Sequence, residues 1–176
     1  LQDLLRSHGL GWTDLTLLAA ARGPGSFTGI KIGLATTWGL ARSIDRPAVG
    51  VGSLQALALV GLRARYGDDL TGVDGPIVCV TPAYSGLFYG AVLRPTGPVD
   101  LSGFEVLESP RVLTASTLET LLRASPDRLL ITDVEGLGPD ETGRVRVVPS
   151  ADLAVATALL ARKHAASQQA APLVAD

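Results

Sequence analysis

Apolar residues in the first third of the chain fall into two short runs separated by a stretch of helical period. Leu15 to Ala21 is short and continuously apolar, which predicts a strand covered on both faces. Gly23-Pro24-Gly25-Ser26-Phe27-Thr28-Gly29 then forces a sharp exit, and Ile30 to Arg42 has the length of a helix that stops ahead of Pro47. Ala48 to Gly52 reads as the next strand, so the segment predicts a β-loop-α-β unit. Ser53 is expected to cap a helix running towards Arg65, and Leu1 to Ser7 reads as the end of a helix stopped by Gly9.

Turn-forming residues dominate from Tyr66 to Pro76, which marks a boundary between two parts of the chain. Beyond it, Ile77 to Val80 and Leu87 to Leu93 predict strands joined in a hairpin through Ser85-Gly86, with Phe104 to Leu107 as a third strand. Ser116 and Glu119 have the spacing of a capping box for a helix reaching about Ala124. Arg128 to Thr132 and Arg144 to Val148 read as further strands. Ser150 is expected to cap the last helix, whose Leu153, Ala156, Leu159 and Leu160 share one stripe. Strands alternating with helices, and a hairpin in the second half, predict a mixed α/β chain.

Composition narrows the class without identifying a function. With 176 residues, 47% apolar and 18% charged, the chain can bury a sizeable core and is globular rather than disordered. Arg, Gly or Pro breaks every apolar run before it reaches membrane-spanning length, and no leader is read at Leu1, so a cytoplasmic protein without a membrane segment is expected. The single Cys79, inside an apolar run, has no internal disulfide partner and reads as a buried strand residue. His8 and His164 lie far apart, which argues against a metal site. A net charge of −2 and a pI near 5.7 argue against strong unaided binding to nucleic acid. Arg22, Lys31, Arg42 and Arg46 flank the glycine-rich turn or its helix, as a local basic patch or as solvated charges.

Three chemical motifs can be counted against that turn, and each fails at a definite position. A Walker A loop needs lysine directly after glycine and before Ser or Thr, whereas Lys31 sits between Ile30 and Ile32. A dinucleotide fingerprint needs its third glycine one position before Gly29 and an acidic residue closing the following strand, which ends at Gly52. A nucleophile elbow needs glycine two residues either side of the serine, but Pro24 and Thr28 flank Ser26. Ser26 is therefore a loop or cap residue. Gly23, Gly25, Ser26, Thr28 and Gly29 remain as candidates for holding an anion or nucleotide at a helix N-terminus, against the alternative of a tight turn without a ligand.

The wording of this stretch carries a resemblance. Arg22-Gly23-Pro24-Gly25-Ser26-Phe27-Thr28-Gly29-Ile30-Lys31-Ile32-Gly33-Leu34-Ala35-Thr36, then Gly39-Leu40-Ala41 and Ser53-Leu54-Gln55-Ala56-Leu57-Ala58, resembles the TsaB (YeaZ) family over about a third of the chain. The resemblance implies an α/β, actin-like and Hsp70-like ATPase fold of ribonuclease H-like lobes. It sets a first lobe at 1–75, completed by a C-terminal helix at 150–170, and a second lobe at 76–149. It also implies a non-catalytic accessory subunit in making threonylcarbamoyladenosine beside the tRNA anticodon. Its partners would be a like-folded catalytic TsaD-like subunit and a TsaE-like ATPase, with a homodimer when alone and tRNA met only through the complex. No intrinsic cofactor is implied, and ATP, if any, would sit at the partner or subunit interface. Two departures stand out. The family's Asp-Ala-Arg-Arg-Gly-Glu-Val-Tyr hairpin here reads Pro82-Ala83-Tyr84-Ser85-Gly86-Leu87-Phe88-Tyr89, and the family's first strands, with their Asp-Thr-Ser-like phosphate loop, are expected to be absent.

Small residues recur along the helix after the turn, Gly33 with Thr37 and Ala35 with Gly39, beside Ile30, Leu34 and Trp38. A glycine within a helix costs roughly 1 kcal/mol relative to alanine, so two of them predict an offsetting close contact. Ile30, Gly33, Leu34, Thr37, Trp38 and Ala41 are the expected partner interface, with packing against the chain's own sheet as the alternative. An enzyme, whether nucleotide hydrolase or peptidase, is the competing class; paired histidines, a serine elbow and a first phosphate loop are all missing from the sequence. No catalytic residue is therefore assigned.

Overall fold

The computed structural model describes residues 1–68, 70, 72–73, 75–96, 103–124, 128–134, 145–147 (backbone only) and 152–166. Helix α1 (Gln2–Ser7) leads through a 3₁₀ turn (Trp12–Asp14) to strand β1 (Leu18–Gly23). Strand β1 starts later than the apolar run suggests, and only Ala20 and Gly23 are buried in it. The expected strand covered on both faces is thus corrected to a half-buried one, because β1 pairs with β2 (Ala48–Gly52) alone in a two-stranded sheet. The pairing is parallel, with Leu18 opposite Ala48 and Ala21 opposite Val51. Helix α2 (Phe27–Ser43) makes the crossover.

Helix α3 (Ser53–Tyr66) follows β2 directly, and the order exposes a second correction: Gly52 is the N-cap, no side chain caps the helix, and Ser53 is its first residue. Eight of the 14 residues of α3 are buried, which is the composition of a helix enclosed on all sides. One core cluster explains why. It joins Val49 and Val51 of β2 to Leu54, Leu57 and Leu62 of α3 and to Ile77, Cys79, Leu93 and Ile131 from the other sheet. The approach is closest at Gly61, where an added Cβ would lie 2.3 Å from Ile131 Cγ2. Helix α5 (Leu153–Ala166) closes this core, packing Ala156, Leu160 and Ala161 into it and lying against α3, β1 and β2. Ser150, read as its cap, lies outside the described residues.

The second sheet has five strands in the order β5-β4-β3-β6-β7. Strands β3 (Ile77–Pro82) and β4 (Phe88–Thr96) form the expected hairpin, with Val78 opposite Val92. Its turn holds Ser85 at φ +53° and Gly86 at φ +73°, and is tied by Ala83 N–H to Leu87 O at 2.9 Å and Leu87 N–H to Tyr84 O at 3.0 Å. Strand β5 (Gly103–Leu113) is longer than the Phe104 to Leu107 expected, because two register irregularities carry its pairing with β4 past Pro110. Strands β6 (Leu129–Thr132) and β7 (Val145–Val147) are parallel to β3 and to each other.

Alternation along β3 divides the sheet's two faces. Ile77 and Cys79 enter the core shared with α3, while Val78 and Val80 join Val92, Leu113, Leu118 and Leu130 under helix α4 (Ala115–Arg123). The cap of α4 is Thr114, whose hydroxyl accepts from Thr117 N–H at 3.2 Å, so the box expected from Ser116 and Glu119 does not form. Among the described residues no helix is long and apolar enough to cross a membrane.

Candidate functional site around the glycine-rich turn

Strand β1 ends at Gly23, which adopts φ +116°, a conformation that side chains disfavour, and the Gly23–Pro24 peptide is cis. Ser26 is the N-cap of α2: its hydroxyl accepts from Gly29 N–H at 3.4 Å and its carbonyl from Ile30 N–H at 2.9 Å. Helix α2 therefore begins three residues ahead of the apolar period. Of the five candidate anion-binding residues, Gly25 and Ser26 alone line a cleft, of about 420 Å³, shared with Phe27, Pro82, Ala83, Tyr84 and Tyr89. Gly23 is buried, and Thr28 and Gly29 lie on the exposed first turn, with the Gly29 amide already engaged by Ser26. The turn is thus capped by Ser26, with Gly25 and Ser26 beside the cleft.

Helix α2 has two unlike faces. Leu34 and Ala41, 8% and 3% exposed, lie under the helix, with Ile30 and Thr37 half-buried. Within the chain, Leu34 and Ala41 lie on the face of α2 that packs against β1 and β2. Gly33 and Thr37 open into a groove of about 550 Å³ with Leu17, Ala20 and Thr157, so this small-residue stripe flanks the chain's own packing. The outward face carries Ala35 and Gly39 together with Ile32, 63% exposed, and Trp38, 60% exposed on one flank. An added Cβ at Gly39 meets none of the described residues within 4 Å. Phe27, 70% exposed, stands at the start of the helix with the Lys31 ammonium 4.0 Å from its ring centroid. Phe27 and Ile32 were not singled out in the sequence. The available signal was an apolar residue lying off the buried stripe of an amphipathic helix.

The four basic residues near the turn have different surroundings. Arg46 Nε donates to Leu15 O at 2.8 Å, Lys31 covers Phe27, Arg42 is exposed and Arg22 is half-buried. Burial, then the charges of Lys163 and Arg22, hold the His164 imidazole below its ordinary value. Its neutral form is the one the fold favours, so protonation as pH falls through the ordinary histidine range opposes folding. At the ends of β3 and β6, Thr81 Oγ1 donates to Asp133 Oδ2 at 3.2 Å. Among the described residues no three His, Cys, Asp or Glu side chains come together as metal ligands.

A protein-family model described as TsaD: tRNA N6-adenosine threonylcarbamoyltransferase matches residues 1–91, more than half of the chain. The tRNA threonylcarbamoyladenosine biosynthesis protein TsaB of Escherichia coli (strain K12) is 46% identical over 57 residues, 32% of this chain and 25% of that protein. The chain belongs to the TsaB (YeaZ) family. TsaB of Bacillus subtilis (strain 168) is 39% identical over 120 residues, 68% of this chain and 47% of that protein. The chain thus spans less than half the length of these TsaB relatives. YeaZ from Pseudomonas aeruginosa superposes with a TM-score of 0.69 at 22% identity, covering 99% of this chain and 78% of that one. The fold is the actin-like, ribonuclease H-like ATPase fold.

Proposed function

We propose that this chain is a non-catalytic accessory subunit for threonylcarbamoyl transfer to the adenosine beside the tRNA anticodon, acting by binding a like-folded, TsaD-like catalytic subunit. Membership of the TsaB family supports the pathway, and the names of the relatives supply the reaction. The carrying observation is the outer face of α2, where Ile32, Ala35 and Gly39 form a low, apolar surface flanked by Trp38 and left exposed by the other described residues. The mid-helix Gly39 on this face costs roughly 1 kcal/mol, and close approach by a second helix is a gain that offsets it. The same face serves a homodimer when the partner is lacking. In this reading residues 1–75 with α5 form one lobe and 76–149 the other; a TsaE-like ATPase and tRNA join through the complex, in the cytoplasm, and any ATP lies at an interface.

Reconstitution tests the proposal. Adding the chain to a TsaD-like protein with threonylcarbamoyl donor and tRNA should raise modification, and Ile32→Glu should reduce that stimulation by about tenfold or more, the scale of a lost interface anchor. Modification of tRNA by this chain alone, or full stimulation by Ile32→Glu, would overturn it.

A further inference from the structure

The cleft between the glycine-rich turn and the β3–β4 hairpin is walled by aromatic rings. Of three phenylalanines and three tyrosines in the chain, Phe27, Tyr84 and Tyr89 all line this one space of about 420 Å³. Two other clefts, of about 370 and 550 Å³, have no aromatic lining residue. Phe27 and Tyr84 are 70% and 63% exposed, and they come from separate elements, the first turn of α2 and the turn of the hairpin. Both mounts are built. The hairpin turn is closed by two backbone hydrogen bonds around Ser85 and Gly86, and Phe27 directly follows the capping Ser26 with Lys31 laid against its ring. Solvent-facing rings held on ordered backbone lose little freedom when a flat ligand stacks on them.

We infer that this cleft binds a planar heteroaromatic base, stacked on Phe27 and Tyr84 with Tyr89 at its floor. Its size lies in the range of small-molecule sites, and its lining joins aromatic surface to a few polar groups, among them the Ser26 and tyrosine hydroxyls. Every base has a π-face, so aromatic walls of this kind accept a base from a free nucleoside or nucleotide and equally an unstacked base of a single-stranded nucleic acid. The inference goes beyond the accessory role and does not depend on it, because the α2 outer face takes no part in the cleft.

Equilibrium dialysis of the full chain with adenosine as the probe tests it. Adenosine should bind, and Phe27→Ala and Tyr84→Ala should each weaken binding by about tenfold, as loss of a stacking partner does. Tyr84→Phe should bind as the wild type, and Ile32→Glu, which strikes the proposed partner face, should leave adenosine binding unchanged. Single-stranded oligoadenylate binding more tightly than adenosine would support the site with an RNA base as its source; equal affinity would support it with a free nucleoside or nucleotide. Inorganic tripolyphosphate binding where adenosine does not would make the turn an anion site and overturn the inference. No binding of adenosine, or binding unaltered in both alanine variants, would overturn it as well.

Discussion

Cys79 lies at the centre of β3 with no exposed surface, and burial pushes its thiol up, away from the thiolate that reacts. The folded chain should leave Cys79 unmodified by a thiol reagent at pH 8, with full reaction after denaturant; rapid labelling of the native protein would mean that β3 is not enclosed. Its burial was legible from its apolar neighbours. Cap residues were less so: Ser26 is a cap, but the α4 cap is Thr114, two residues ahead of Ser116. The Thr114 hydroxyl lies 2.9 Å from both Ser116 Oγ and Thr117 Oγ1, and three hydroxyl residues within four positions offer nearly equal caps that only the backbone path can separate. Tyr84 was read only as a departure from a charged hairpin. That it lines one cleft with Phe27 depends on the approach of distant segments, which no local pattern records.

At the scale of elements, α3 shows how a single missing atom sets a packing distance. An alanine at position 61 would put Cβ 2.3 Å from Cγ2 of the fully buried Ile131, so the helix and β6 would have to separate. Gly61→Ala should therefore lower stability by about 1–3 kcal/mol despite its better helix propensity. In an Ile131→Ala background the same change should cost much less, and urea melts of the double-mutant cycle would show that coupling. Equal costs in both backgrounds would remove the contact from the explanation. Helix α2 was legible as a helix with two small-residue stripes, but a 3.6-residue period cannot say which stripe meets the sheet. The structure puts Gly33 and Thr37 beside the β1 groove and Ala35 and Gly39 outside. Strand β1 was displaced for a similar reason: Leu15 to Leu17 continue the apolar run, yet pairing with β2 begins only at Leu18.

Across the whole molecule, local signals carried the hairpin, the β-loop-α-β unit and the order of the helices. The pairing of β3 with β6, and the single core in which α3 touches both sheets, join residues far apart in the chain and follow only from the folded topology. The proposed association requires α2 to turn its Ala35–Gly39 face outward for a second, like-folded molecule. Gly39→Leu tests this directly, since a Cβ there meets none of the described residues within 4 Å and the change should add helix propensity of about 0.8 kcal/mol rather than disrupt packing. Sedimentation velocity, alone and with a TsaD-like protein, should show the wild type in a dimer or heterodimer and the variant as a monomer whose melting temperature is unchanged or slightly higher. A variant that assembles like the wild type, or one that unfolds, would contradict the outward face as the site of association.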